Sequence, residues 1–142
     1  MPSSSEDKKQ IGLTPDGAEA LNVVMGAGIV PSESDAYRIA VAYALGLGMN
    51  PDQAPKGGYQ TKFNAAGGID IDGQIRDLIG ILLPECSERP YATAERLAEL
   101  GMSVLAKRIA DQDSLADLLL GLSSQATSVA EAERACGLPP EP

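Results

Sequence analysis

Residues 36–45 are the feature that most constrains the fold, because they are apolar almost without interruption. The run follows Ser32, which has Asp35 three residues later, a pattern typical of a helix N-terminus. A helix over Glu33–Leu47 is therefore apolar on nearly every side, and such a helix has to be buried all round. In a small domain this burial favours contact with a second copy, so we predict a homo-oligomer. The predicted interface residues are Tyr37, Ile39, Ala40, Val41, Tyr43 and Ala44.

Other segments also have the spacing of helices. Thr14 and Pro15 predict an N-cap and a first helical residue, so a first helix runs from Pro15 to about Met25 and stops at nearby glycines. A third helix opens at residues 72–73 and ends before a proline at 84. A fourth covers residues 90–110, and shorter helices are predicted at 115–122 and 127–136. Ahead of them, residues 10–13 predict a single short strand.

The composition favours helices as well. Aromatic residues make up 4% of the chain and there is no Trp, so the core has to be built from Ala, Leu, Ile and Val. We predict a mostly α fold, a compact helical domain with a short N-terminal strand. The domain covers residues 10–137, between a disordered leader at 1–9 and a disordered tail at 138–142. Within it, Gly48 to Gly68 is the longest irregular stretch and a candidate binding loop.

Several classes of function are disfavoured by what the chain lacks. It has no His, which removes the commonest general base and metal ligand. Cys86 and Cys136 have no metal-ligand spacing, and no glycine-rich segment has the phosphate-loop pattern. We therefore predict a protein that is not an enzyme and that uses no cofactor or metal. A small enzyme that uses acidic residues and a cofactor or metal is kept as a third hypothesis.

Charge and hydropathy bear on partners and location. The formal net charge is −9, which repels phosphate backbones unless basic residues gather on one face. No segment reaches the roughly 20 apolar residues of a membrane-spanning helix, and the first ten residues do not resemble a signal peptide. The prediction is a cytoplasmic protein with no membrane contact.

Four basic residues are the candidates for DNA contact. Lys56 and Lys62 lie in the irregular stretch among aromatic residues, and Lys107 with Arg108 forms the adjacent basic pair within the domain. A flexible loop and a helix end can present such charges together. We predict these four as the DNA-binding residues.

The order of elements resembles a ribbon-helix-helix unit. A strand is followed by Thr14-Pro15-Asp16, a short helix, a glycine stop, Pro31-Ser32-Glu33-Ser34 and the helix around Tyr37-Arg38-Ile39-Ala40. In such units paired strands enter the DNA major groove and the helices build an intertwined dimer. The resemblance implies a fold related to that unit, although the strand Gln10-Ile11-Gly12-Leu13 is short and offers one polar residue for reading bases.

A fuller resemblance is to the DndE family of the DNA phosphorothioation system, a sulfur modification that serves phage defence. It rests on Leu13-Thr14 before the first helix, Ile39-Ala40-Val41-Ala42, the turn Phe63-Asn64-Ala65-Ala66-Gly67-Gly68, and Thr93-Ala94-Glu95-Arg96-Leu97-Ala98-Glu99. It covers about residues 11–109. The resemblance implies a homo-oligomeric accessory protein that associates with nicked double-stranded DNA without transferring sulfur. Family members have lysines near the first helix for DNA, whereas residues 15–28 contain Asp16 and Glu19 and no basic residue.

Two functions follow as predictions. The first is a non-enzymatic, DndE-like accessory protein that contacts DNA or a protein partner of a DNA-modification complex. The alternative is an acidic, oligomeric protein-protein assembly module with no nucleic-acid role.

Overall fold

The computed structural model describes residues 7–111. These fold into four α-helices and one two-stranded antiparallel sheet, which confirms the mostly helical class. The elements in chain order are β1 (Gln10–Leu13), α1 (Pro15–Gly26), α2 (Glu33–Gly46), β2 (Gln60–Asn64), α3 (Gln74–Leu82) and α4 (Pro90–Ala110). Single helical turns lie at Pro51–Gln53, Ala65–Ile69 and Pro84–Cys86. The helices predicted at 115–122 and 127–136, and the tail at 138–142, lie outside the described residues.

Local hydrogen bonds explain where α1 and α2 begin. The Thr14 hydroxyl accepts from the Gly17 amide at 3.2 Å, and the Ser32 hydroxyl accepts from the Asp35 amide at 3.2 Å. Each bond satisfies one of the amides that a helix start leaves without a partner. The predicted starts at Pro15 and Glu33 are confirmed, and both predicted ends lie within one residue of the observed ones.

The start of α3 depends on a buried carboxylate. Asp70 accepts from the amides of Ile75 at 2.8 Å and Arg76 at 3.1 Å, and from the Tyr91 hydroxyl at 2.9 Å. It therefore caps the first turn of α3 and joins α3 to α4. Burial raises the pKa of Tyr91 to about 12, and its hydrogen bond to Asp70 adds to the shift.

The sheet corrects the prediction of a lone strand and an irregular stretch from 48 to 68. β1 pairs with β2, and a bulge lies between Ile11 and Gly12. A Cβ at position 12 would lie 2.7 Å from the carbonyl carbon of Gln60, so glycine there permits the close approach of the strands. Since β1 takes its partner strand from the same chain, this pairing differs from one formed between two chains. The relation to a ribbon-helix-helix unit is not confirmed.

α4 is the central element and packs on α1, α2, α3 and β1. Its contact with α2 is close, because a Cβ at Gly101 would lie 2.8 Å from the carbonyl carbon of Ala40. Its Glu99 side chain accepts from the backbone amide of Thr14 at 3.0 Å and also from the Thr14 hydroxyl. Together these contacts fix the start of α1 and the path of α2 against one helix.

The predicted oligomer interface on α2 requires a correction. Five of its six residues are at most 3% exposed within a single chain, and the sixth, Ile39, is partly buried. The five are Tyr37, Ala40, Val41, Tyr43 and Ala44. α2 is covered by α4 and its neighbours, so its burial needs no second copy. These five side chains have too little exposed surface to form an interface with a second copy.

Among the residues that the structure describes, no helix combines the length and the apolar character required to cross a membrane.

Candidate functional site

A cleft of about 320 Å³ lies between the turn that precedes β2 and the first turns of α4. We call it the basic cleft and define it by Lys8, Lys56, Tyr59, Arg89, Glu95 and Arg96, with the glycines at 57 and 58 in the same turn. Four of these six side chains are cationic and one is a carboxylate. The chain has 11 Lys and Arg against 20 Asp and Glu, so four cations around one cleft depart sharply from its average charge.

The helix side of the cleft follows from spacing along α4. Arg89, Ala92 and Arg96 are three and four positions apart, which places them on one face of the helix. The first amides of α4 are already satisfied, because the Asp7 carboxylate accepts from Tyr91 and Ala92 at 2.9 Å each. The positive charge of the cleft therefore comes from its side chains.

Glu95 holds Lys8 at the cleft. One of its carboxylate oxygens accepts from the Gly12 amide at 2.8 Å, and the other forms an ion pair with the Lys8 ammonium. The Glu95 side chain is buried and the Lys8 side chain is about one-third exposed. The carboxylate is thus committed to the protein's own donors, while its lysine partner remains partly open to solvent.

The turn side of the cleft is shaped by Tyr59. Its hydroxyl donates to the Pro55 carbonyl at 2.8 Å, and Gly58 takes a positive φ of 87°, which favours glycine. The Lys8 ammonium lies 5.6 Å from the centroid of the Tyr59 ring, a cation-π distance. Burial raises the pKa of Tyr59 to about 12, and the Glu99 and Glu95 carboxylates add to the shift. At neutral pH the phenol is therefore uncharged.

This arrangement is suited to holding an anion. Arg96 lies 3.8 Å from the carboxylate of Asp52, which is itself largely exposed; such surface pairs contribute little and are easily exchanged. A phosphate group placed here meets lysines from two segments and guanidinium groups from a third. Within residues 7–111 no cluster of three or more Cys, Asp and Glu could hold a metal ion.

The four DNA-binding residues predicted from the sequence lie in different places. Lys56 lines the basic cleft. Lys62 lies on β2, where its ammonium is 3.1 Å from the Glu33 carboxylate. Lys107 and Arg108 are in the last turn of α4, and the 11 residues from Arg96 to Lys107 separate them from the cleft by about 16 Å along the helix. The structure therefore does not bring the four together.

Three cations of the cleft were not among the predicted residues. Arg89 and Arg96 carry one signal in the sequence, their helical spacing, but Glu95 and Glu99 beside them favour simple ion pairing on the helix. The structure instead turns both glutamates toward β1 and the start of α1. Lys8 belongs to the predicted leader. Its position depends on the contact with Glu95, which is 87 residues away in the sequence.

Comparison with known proteins gives no relative: no protein-family model, curated protein or solved structure matches this chain.

Proposed function

We propose that this chain is a non-enzymatic accessory protein that contacts DNA, and that the basic cleft binds the phosphate backbone. The observation that carries the proposal is the convergence of Lys8, Lys56, Arg89 and Arg96 on one cleft in a chain of net charge −9. A chain that repels polyanions on average can bind one only where cations are concentrated. The sequence resemblance to the DndE family implies a role in a DNA-modification and phage-defence complex, so nicked duplex DNA is the first form to test.

The cleft favours phosphate contact over base reading. Its basic groups come from a turn, an N-terminal segment and a helix start, and β1 and β2 are not part of its lining. Contacts to phosphates position a protein on DNA but carry no direct sequence information. We therefore expect binding that depends weakly on sequence and strongly on salt.

The experiment is fluorescence anisotropy of labelled duplexes, intact and nicked, titrated with the 142-residue chain over a series of salt concentrations. Two to four phosphate contacts give a slope of log K against log salt of about −2 to −4. The double variant Lys56→Ala, Arg96→Ala should weaken binding at least tenfold and reduce the slope by about two.

The single variant Lys56→Ala has a matched control in Lys107→Ala, which removes one exposed cation outside the cleft. The control should change affinity less than threefold. If Lys107→Ala weakens binding as much as Lys56→Ala, general charge rather than the cleft is responsible. If the wild-type chain binds neither duplex at low salt, the DNA proposal fails.

A second candidate function, a protein-protein assembly module without a nucleic-acid role, is favoured by a different observation. Ile71 and the α3 residues Leu78, Ile81 and Leu82 are exposed apolar side chains. An apolar patch of this kind is typical of a protein contact surface. The same anisotropy experiment separates the two candidates, since this one predicts that no DNA is bound.

A further inference from the structure

One side of α3 is apolar and is not covered by any other part of the chain that the structure describes. Within residues 7–111 five large hydrophobic side chains are exposed, and four of them belong to this region: Ile71 at 77%, Leu78 at 43%, Ile81 at 73% and Leu82 at 54%. We call these four the α3 face. In α3 itself only Ile79 is buried, so this short helix contributes little to the core and keeps apolar surface in water.

The four exposed side chains lie within a segment of 12 residues. Leu78, Ile81 and Leu82 are three and four positions apart, so they lie on one side of the helix. Ile71 is separated from the start of the helix by two residues and is also exposed. The exposed apolar area is on the order of 400 Å², within the range of patches that usually have a function. Single exposed leucines are common on proteins, but a grouped set is not.

The border of the α3 face is acidic. Asp77 is one helical turn before Ile81 and its side chain is 66% exposed. Glu85 follows in the turn after α3, and Asp72 is exposed beside Ile71. The nearby cation, Arg76, lies about 160° around the helix from Leu78. It forms an exposed ion pair with Asp77 at 3.5 Å, a kind of pair that contributes little and is easily exchanged, and the three carboxylates outnumber it. An occupant of the α3 face therefore meets negative charge at the edge of an apolar centre.

We propose that the α3 face binds a basic amphipathic helix of a partner protein. Leucine-like side chains of that helix would cover Leu78, Ile81 and Leu82, and its Lys or Arg side chains would reach Asp77 and Glu85. This is recognition of an amphipathic helix by an apolar surface, with partner choice set by complementary charge. The proposal shares with the second candidate function the premise that α3 is a contact surface. It does not depend on DNA contact.

Charge makes a second copy of the chain an unfavourable occupant of the α3 face. Two α3 faces that pack on each other bring the same acidic border against itself, and like charges that face each other across an interface are unfavourable. A basic helix meets the border with opposite charge and needs no symmetry.

The test uses a defined probe, a fluorescein-labelled 18-residue helical peptide of Leu and Lys, with a Leu and Glu peptide of the same pattern for comparison. Anisotropy is measured with the 142-residue chain at about 0.15 M salt, where long-range charge attraction is screened beyond about 8 Å. The Leu/Lys peptide should bind, and the Leu/Glu peptide should bind at least tenfold more weakly.

Leu78→Asp and Val23→Asp form a matched pair, because Leu78 and Val23 are both 43% exposed and Val23 lies on α1. Each variant adds one negative charge, which by charge alone attracts the Leu/Lys peptide more strongly. We expect Leu78→Asp to weaken binding at least tenfold and Val23→Asp to change it less than twofold. Equal effects of the two variants, or no binding by the wild-type chain, overturn the proposal.

Two further measurements keep the test decisive. Ile81→Asp, at a more exposed position, should give the same loss if Leu78→Asp fails to fold by circular dichroism. Light scattering reports self-association: a wild-type dimer that Leu78→Asp makes monomeric would assign the α3 face to a second copy and overturn the proposal. If the chain binds the Leu/Lys peptide but not DNA, only the proposal of DNA binding is refuted.

Discussion

Gly101 lies where α4 crosses α2, and its replacement by Ala gives the sharpest test of the packing. A Cβ there would lie 2.8 Å from the carbonyl carbon of Ala40 and 3.2 Å from its Cα. Carbon atoms in contact prefer about 3.5–4.0 Å, so the two helices have to separate by about 1 Å. The obstacle is backbone and cannot rotate away. Overpacking of this kind costs about 1–3 kcal/mol or more.

Whether Gly101→Ala raises or lowers the stability is informative, because Ala is a better helix former than Gly by about 1 kcal/mol. If nothing opposed it, Gly101→Ala would stabilise the chain. We expect instead a net loss of about 2 kcal/mol, a large share of the 5–15 kcal/mol typical of whole proteins. Urea unfolding followed by circular dichroism measures it as a lower midpoint.

Gly80→Ala is the matched control. Gly80 lies inside α3, and a Cβ there would meet nothing within 4 Å. This change should raise the stability by about 0.5–1 kcal/mol. If Gly101→Ala unfolds at the same or a higher urea concentration than the wild-type chain, the close crossing of α2 and α4 is refuted.

Two further predictions concern hydrogen bonds to the buried carboxylates Glu99 and Asp70. Glu99→Ala should lower the free energy of unfolding by about 2–4 kcal/mol. The reason is that it leaves the buried amide and hydroxyl of Thr14 without their acceptor. A loss below about 0.5 kcal/mol in urea unfolding would contradict this role of Glu99. The pKa of Tyr91 is raised to about 12 in the folded chain by burial and by its bond to Asp70, so the unfolded chain loses this proton at lower pH and stability falls between about pH 10 and 12. Tyr91→Phe should therefore reduce the loss of stability between pH 9 and 11.5, and an unchanged loss would show that Tyr91 is not responsible.

The helix boundaries could be predicted because their causes are close in the sequence. Thr14 and Ser32 each cap a helix through an amide three residues ahead, and Pro90 begins α4 at the predicted residue. Strand β2 could not be predicted in this way. Its residues, 60–64, are mostly polar and follow two glycines, and they become a strand because β1 lies beside them.

The candidate cleft was only partly predictable for the same reason. Lys56 stands out beside its glycine turn, so the sequence alone indicates it. Lys8 joins it because Glu95, the neighbour of Arg96 on α4, binds the Gly12 amide and the Lys8 ammonium. Those contacts span more than 80 residues, and no local pattern encodes them. Glu95 and Glu99, which the sequence suggests as surface ion-pair partners of Arg96, are instead buried against the N-terminal segment.

The sequence by itself determined the helical class and three of the four helix starts, since capping and helical periodicity act over three or four residues. Tertiary structure alone decided which apolar surface is covered. α2, apolar on nearly every side, is buried within one chain because Gly101 lets α4 approach its backbone closely. α3, with the clearest amphipathic spacing, leaves Ile81 and Leu82 exposed. Periodicity states which side of a helix is apolar, but burial depends on how closely distant segments of the chain can approach.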